Sequence, residues 1–390
     1  MSAYFQMGHD TENLIGEIDL DDFKGIILSP VNRGPNAIKN NINKFNKIGL
    51  YDLILDPQLY FPRCDRGMLQ HHPYFPSDLD TSDLSSESWW KNTIIKLVQY
   101  GTELEINAIA SPVIFPKIWD DDYYNFCIIS AYLLMQELKG SKIRALTTIM
   151  VNLSQLSQPD HALEIASIFS QVDSQGYYLI FISDLPPRRE FNDASELFGA
   201  MKLIHELKRT NKVIIVSHTS SEMVLFKTAG ATHCASGKFF NLRRFTKSRF
   251  DEPSEGGGQL SYWFEHSLLS FLRDADLTRL QTNGYGHLIG TEFSNNHWSQ
   301  EILKILKESP DTAWLALGWR QFLSWYGKAE KALSSDQSYT LTQNWLKAAE
   351  QNWSELDDHD ILFEEQRNNG NWLRPWRQAL ADFLRYTKKT

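Results

Sequence analysis

Cysteine is nearly missing from this chain. Its 390 residues hold three, Cys64, Cys127 and Cys234, an odd and scattered set with no pair at zinc-ligand spacing. A disulfide framework is thereby excluded, and free thiols in a reducing compartment are expected. Long apolar runs are missing too, since none reaches the roughly 20 residues that cross a bilayer as a helix. No basic segment followed by an apolar stretch opens the chain, where Tyr4, Phe5 and Met7 stand among polar residues. The expectation is a soluble cytoplasmic protein with no membrane contact. Positive charge is not in excess either. The formal net charge of -9 argues against a protein that coats nucleic acid indiscriminately, while leaving room for a local basic patch.

The signatures of several chemistries are also absent. There is no P-loop, no dinucleotide-binding glycine pattern and no Gly-x-Ser-x-Gly elbow. A metal-dependent hydrolase barrel needs a His-x-His or other multi-histidine set, whereas His9 stands alone after the first apolar run. His71 and His72 are adjacent, so their side chains diverge and chelate poorly. No cofactor and no metal ion is expected.

What the chain does have is alternation. Hydrophobic residues make up 42% and charged residues 22%, the balance of an ordinary globular protein. Short β-branched runs at 3–8, 25–29, 51–56, 106–111, 144–151, 177–183, 212–217 and 232–236 alternate with amphipathic helical stretches, the pattern of a parallel sheet wrapped by helices. Eight such runs are the number that closes a barrel. The expected fold is therefore α/β, a (β/α)8 TIM barrel over 1–285, followed by a tryptophan-rich helical extension over 286–390. Helices are expected at 35–48, 120–138, 193–208 and 220–229, the last begun by Ser220 or Ser221 and closed by Gly230. The stretch 261–273 is expected to be the last barrel helix, and 250–258, acidic and ending in three glycines, a mobile loop. Eight of the 12 tryptophans fall between Trp298 and Trp376. Trp314, Trp319, Trp325, Trp345 and Trp353 either pack against the barrel's outer helices or form a protein-contact surface.

In barrel enzymes the reacting groups sit where strands end. That ring is polar here: His9 and Asp10, Ser29 and Asn32, Asp56 and Gln58, Ser111, Asn152, Ser183 and Asp184, Ser217 and His218, then Ser236, Lys238 and Asn241. Asp56 closes Leu53-Ile54-Leu55 and precedes Pro57, which suits a rigidly held base or nucleophile, or a turn-capping carboxylate paired with Arg63 or Arg66. Asp184 is a weaker counterpart, with Arg188 and Arg189 as candidate structural partners. His9 and His218 are candidates for proton transfer near neutral pH, with a packed structural histidine as the alternative. The run Ser236-Gly237-Lys238, followed by Asn241, Arg243, Arg244, Lys247 and Arg249, is the strongest anion signal. Loops after the seventh and eighth strands of many barrels hold phosphate, and Gly237 permits the close approach required. The alternative is a solvated basic turn.

The stretch 212–246 runs strand, helix, Ala229-Gly230-Ala231, strand, basic loop, and in that layout resembles the last strand–helix–strand unit of tRNA-guanine transglycosylases. Asp56 resembles the strand-end aspartate which that family uses beside its base pocket. The likeness covers about a third of the barrel. It lacks the family's cysteine-rich zinc site, and the family's Asp-Ser-Gly-Gly signature reads Asp56-Pro57-Gln58-Leu59 here.

Two functions follow as expectations. One is an enzyme that exchanges or cleaves a glycosidic-type bond in a phosphate-bearing nucleoside, nucleotide or nucleic-acid substrate. In it Asp56 or Asp184 is base or nucleophile, His9 or His218 moves a proton, Lys238, Arg243 and Arg244 hold phosphate, and Asp10, Asn32, Gln58, Ser236, Gly237 and Asn241 complete the substrate site. The other is a non-catalytic barrel serving a multiprotein complex through its C-terminal helices.

Overall fold

The computed structural model describes residues 2–16, 22–49, 51–61, 67–76, 87–247, 259–366 and 368–388. Eight parallel strands close into a ring: β1 (Ala3–Gln6), β2 (Phe23–Leu28), β3 (Asp52–Leu55), β4 (Ala108–Ala110), β5 (Arg144–Asn152), β6 (Gly176–Ile182), β7 (Val213–Ser217) and β8 (His233–Ser236). The closing register pairs Tyr4 with Ala235 and Phe5 with Ser236. The protein is a TIM barrel. Its strands are apolar on both faces because one face fills the barrel interior and the other meets the surrounding helices.

The helices expected at 35–48, 120–138, 193–208 and 220–229 all form. Pro35–Ile48 (α1) buries Ile38, Ile42 and Phe45 along one stripe and starts with proline in its first turn. Between β3 and β4 runs α2 (Glu87–Glu103), and α3 (Asp121–Glu137) and α4 (His161–Ser170) flank β5. The Asp120 side chain accepts from the Tyr123 N–H to cap α3, and Asp193 caps α5 (Ala194–Lys208) through the Ser195 and Glu196 N–H groups. Crossover helix α6 (Met223–Ala229) ends at Gly230, whose φ of 110° gives the left-handed turn. Neither Ser220 nor Ser221 caps its start. The Ser220 N–H instead donates to the Glu222 carboxylate at 3.0 Å, and the Ser221 hydroxyl donates to Glu190.

Inside the barrel, the end from which the strands start is closed by an ionic layer. Arg144 donates to both oxygens of Asp52 at 2.5 and 2.6 Å, Tyr4 donates to the same carboxylate, and the ring of His233 lies 4.9 Å from that of Tyr4. Burial raises the Tyr4 hydroxyl far above its ordinary value, so it remains a donor.

The structure corrects the expectation for 261–273. In place of a helix it forms a hairpin of β9 (Trp263–Glu265) and β10 (Ser270–Leu272). The buried Glu265 carboxylate explains the choice. It accepts from the N–H groups of Ser267, Gly290 and Thr291, from the Trp263 indole and from the Thr291 hydroxyl, a donor set that only the hairpin assembles.

The remaining helices are α7 (Asp274–Thr282), α8 (His297–Glu308), α9 (Leu315–Ala332), α10 (Ser338–Asp358) and α11 (Leu373–Thr387). No α-helix is described between β1 and β2, and α9 covers that flank. Tyr326 of α9 stacks on Phe23 at 6.3 Å, and Glu330 accepts from the Cys234 N–H of β8. Gln321 of α9 accepts from the Phe264 N–H and donates to the Phe264 carbonyl, which satisfies the free edge of the hairpin. The apolar core runs without interruption from barrel to extension. Trp314, Trp325, Trp345 and Trp353 are buried in that core, and Trp319 is half-buried. No described helix is long and apolar enough to cross a membrane.

Candidate functional site

A cleft of about 410 Å³ opens where β1, β2 and β8 end, walled by the segment that leads into the hairpin, Gln259, Leu260 and Tyr262, and by the start of α9. The sequence-derived residues His9, Asn32, Lys238, Asn241 and Arg243 all line it. Their convergence follows from the ring closure, which sets the ends of β1 and β8 side by side. Gly8 and Gly237 make the approach possible. A Cβ at Gly237 would sit 2.7 Å from the Gln6 carbonyl oxygen, and one at Gly8 would strike Leu242. Gly237 itself lies behind the lining.

The cleft is cationic and aromatic. The Lys238 ammonium lies 4.0 Å from the Trp319 ring centre and 4.7 Å from that of Phe239, and its single hydrogen bond among the described residues is a 3.3 Å contact to the Asp10 carbonyl. Burial lowers its pKa from the ordinary lysine value. Arg188 donates to the Tyr262 hydroxyl at 3.2 Å, with its guanidinium 5.5 Å from the Tyr262 ring centre and 5.7 Å from that of Phe240. The pairing of Arg188 or Arg189 with Asp184 does not form. Among the described lining residues there is no carboxylate.

Arg243 has a second duty. Its guanidinium donates to the carbonyls of Gly237 at 3.0 Å and Lys238 at 2.9 Å while stacking 3.7 Å from the Phe322 ring centre. It therefore holds the loop that presents Lys238 and adds positive field behind it. Burial lowers its pKa well below the arginine norm. Arg244 lies outside the lining, with its guanidinium 3.8 Å from the Phe191 ring centre, 3.8 Å from a Glu222 carboxylate oxygen, and bonded to the Arg189 carbonyl. Adjacent residues leaving a short 3-10 turn face different sides, which separates the two arginines.

The four proposed reacting groups fall in three places. His9 is exposed at the cleft edge and pairs with Asp10 at 3.0 Å. Asp10 is itself exposed, in a left-handed conformation, and its hydrogen bond from Arg33 lowers its pKa. Asp56 and His218 are buried just past the ends of β3 and β7. Asp56 is 1% exposed and accepts from the Tyr60 hydroxyl at 2.8 Å, the Tyr178 hydroxyl at 3.2 Å and the Gln58 N–H at 3.0 Å. Its expected partners Arg63 and Arg66 lie outside the described residues, as do Arg249 and the loop 250–258. His218 has a φ of 55° and contacts the Ser217 hydroxyl at 3.0 Å. Phe245 packs edge-on to Tyr60 at 5.0 Å and to His218 at 5.2 Å. Asp184 is exposed at the end of β6, away from the cleft lining.

Gln58 links β3 to the start of the cleft. Its side-chain carbonyl accepts from the Ser29 hydroxyl and the Val31 N–H, and Asn32 donates to Ser29 at 2.7 Å. Ser236 is fully buried. The residues that sequence reasoning missed are Tyr262, Gly318 and Trp319, which reach the cleft only because α9 docks against the hairpin. A Cβ at Gly318 would stand 2.5 Å from the Tyr262 carbonyl oxygen, so the close approach requires glycine. Among the described residues no cluster of His, Cys, Asp and Glu is arranged to hold a metal ion.

No known protein family matches the sequence, and no curated protein matches it. Solved structures do match. N-acetylneuraminate lyase from Mycoplasma synoviae is 10% identical over 97% of this chain and 98% of that one, with a TM-score of 0.35. A chain of the tryptophan synthase α2β2 complex from Pyrococcus furiosus is 13% identical over 60% of this chain and 87% of that one, TM-score 0.34. A glycoside hydrolase family 3 β-N-acetylglucosaminidase from Paenibacillus sp. is 11% identical over 89% and 66%, TM-score 0.38. Likeness this low says nothing of activity, and the fold assignment stands on the closed strand ring itself.

Proposed function

We propose that the cleft at the ends of β1, β2 and β8 binds a phosphate-bearing nucleoside or nucleotide, and that the barrel acts on its glycosidic bond. One observation carries the binding reading: Lys238, Arg188, Arg243 and His9 converge with Tyr262, Phe240 and Trp319 in one cavity whose described lining lacks a carboxylate. A phosphate needs the first set, a planar base stacks on the second, and the amides of Asn32 and Asn241 suit base or ribose edges. Asp56, which resembles the strand-end aspartate that tRNA-guanine transglycosylases use beside their base pocket, is the candidate base or nucleophile, since that family's nucleophilic aspartate has no counterpart near Ser236.

A second reading, a barrel that binds without chemistry, is favoured by the burial of Asp56 against Tyr60. Calorimetric titration with mono- and diphosphates of guanosine and uridine, beside the bare nucleosides, tests the binding. Phosphate is expected to tighten binding at least tenfold, and Lys238→Met to remove about that factor. Equal affinity for nucleoside and nucleotide would contradict the site. Release of free base by the wild type but not by Asp56→Asn, at equal nucleotide affinity, selects the enzyme over the binding barrel.

A further inference from the structure

A second cavity, of about 330 Å³, shares Arg188 and Phe240 with the cleft and extends away from the barrel axis between the β6 end and the segment leading into α11. Its chemistry differs. The described lining balances Arg188 and Arg189 against Glu190 and Glu365, and most of its remaining polar residues carry amides, Asn192, Gln366, Asn368, Asn369 and Asn371, beside the Ser270 hydroxyl. Asn368 is spent on the hairpin, donating to the Phe271 carbonyl at 2.7 Å, and Asn369 accepts from the Asn371 N–H. The side-chain amides of Asn192, Gln366 and Asn371 are exposed and carry no hydrogen bond among the described residues. Trp372, at 5% exposure, lines the same cavity, and its indole N–H is buried with no acceptor among the described residues.

Charge and donor type together select the occupant. A second phosphate group would meet Glu190 and Glu365, and an apolar group would displace water from three amides without replacing its hydrogen bonds. A neutral group with several hydroxyls suits the amides, because each hydroxyl both donates and accepts, and the Trp372 ring adds an apolar surface. The junction supports a covalent link between the two occupants. Arg188, set between the Phe240 and Tyr262 rings and bonded to the Tyr262 hydroxyl, belongs to both cavities and is the cation placed to meet a phosphate joining them. We propose, resting on the nucleotide reading of the cleft, that the second cavity is a subsite for a sugar-like polyhydroxyl group carried on that nucleotide's phosphate.

Isothermal titration of the full chain with UDP and UDP-glucose, and with GDP and GDP-mannose, tests this. At least one conjugate is expected to bind about tenfold more tightly than its bare nucleotide. The double variant Gln366→Ala/Asn371→Ala, both positions exposed, is expected to bring that conjugate to the level of the nucleotide while leaving the nucleotide's own affinity and the melting temperature unchanged. Nucleotides that bind with no gain from either sugar would overturn the subsite and leave the cleft reading standing. A sugar-dependent gain that survives the double variant would overturn the placement. Failure of all four compounds to bind would overturn both.

Discussion

Replacing Lys227 by methionine is expected to destabilise the protein by roughly 3–5 kcal/mol, the typical cost of removing one partner from a buried ion pair. Lys227 of α6 pairs with Glu330 of α9 at 3.1 Å, and the two side chains are 3% and 0% exposed. Lys227 also donates to the Thr232 carbonyl at 2.8 Å. With the ammonium removed, Glu330 keeps only the Cys234 N–H and Ser2 as partners, so the carboxylate either stays charged in an apolar shell or takes up a proton. Burial already holds the Glu330 pKa above the glutamate norm, with Lys227 opposing it; the substitution removes that opposition. The sign of the pH dependence follows. A carboxyl whose folded pKa is raised is stabilised in its protonated form, and that stability is lost as pH rises through the folded value. The deficit of Lys227→Met is therefore larger at pH 7.5 than at pH 5. Urea unfolding at both values measures it, and the double variant Lys227→Met/Glu330→Leu is expected to recover most of the loss, because no charge is then left buried. A deficit under about 1 kcal/mol, or one that grows on acidification, would refute the reasoning that α9 is pinned to the barrel by this pair.

Burial depresses His233 to about 4, aided by Lys24 and opposed by its contact with the Ser2 carbonyl. Since the folded pKa lies below the unfolded value of about 6.5, its stability contribution is complete above that value and falls by roughly 3 kcal/mol as pH drops toward 4. Denaturant titrations from pH 7 to 4 should show that slope in the wild type and lose it in His233→Gln; equal slopes would contradict it. Gly318→Val is expected to push α9 off the Tyr262 backbone at a cost of about 1–3 kcal/mol and to weaken nucleotide binding in the cleft, and unchanged affinity by calorimetry would deny α9 its part in the wall. Asp56→Asn is expected to cost about 1–3 kcal/mol in urea unfolding, because the acceptor shared by Tyr60 and Tyr178 is altered inside the barrel, while cleft affinity stays within twofold.

The barrel was legible because each strand is a short, largely apolar run followed by polar residues, and eight such runs alternating with helices match the count of a closed ring. The helices with strong stripes and polar starts, α1, α3 and α5, were legible for the same local reasons. The hairpin was not. In 261–273 the apolar residues Trp263, Phe264, Leu268, Leu269, Phe271 and Leu272 fit a helical face as well as a strand pair, and the decision is made at a distance by Gln321 and by the donors that surround Glu265. The cleft divides the same way. His9, Asn32, Lys238, Asn241 and Arg243 follow from reading strand ends, whereas Tyr262 and Trp319 arrive from residues far along the chain. Asp56, Asp184 and His218 also stand at strand ends, yet none of them lines the cleft: Asp56 and His218 are buried, and Asp184 is exposed away from the lining.

The most direct test is a crystal structure of the protein grown with a millimolar nucleoside diphosphate. The account predicts phosphate oxygens within hydrogen-bond distance of the Lys238 ammonium and the Arg188 guanidinium, with the base against the Trp319 or Tyr262 ring. Density for the nucleotide in any other part of the barrel, or an empty cleft at that concentration, would contradict it.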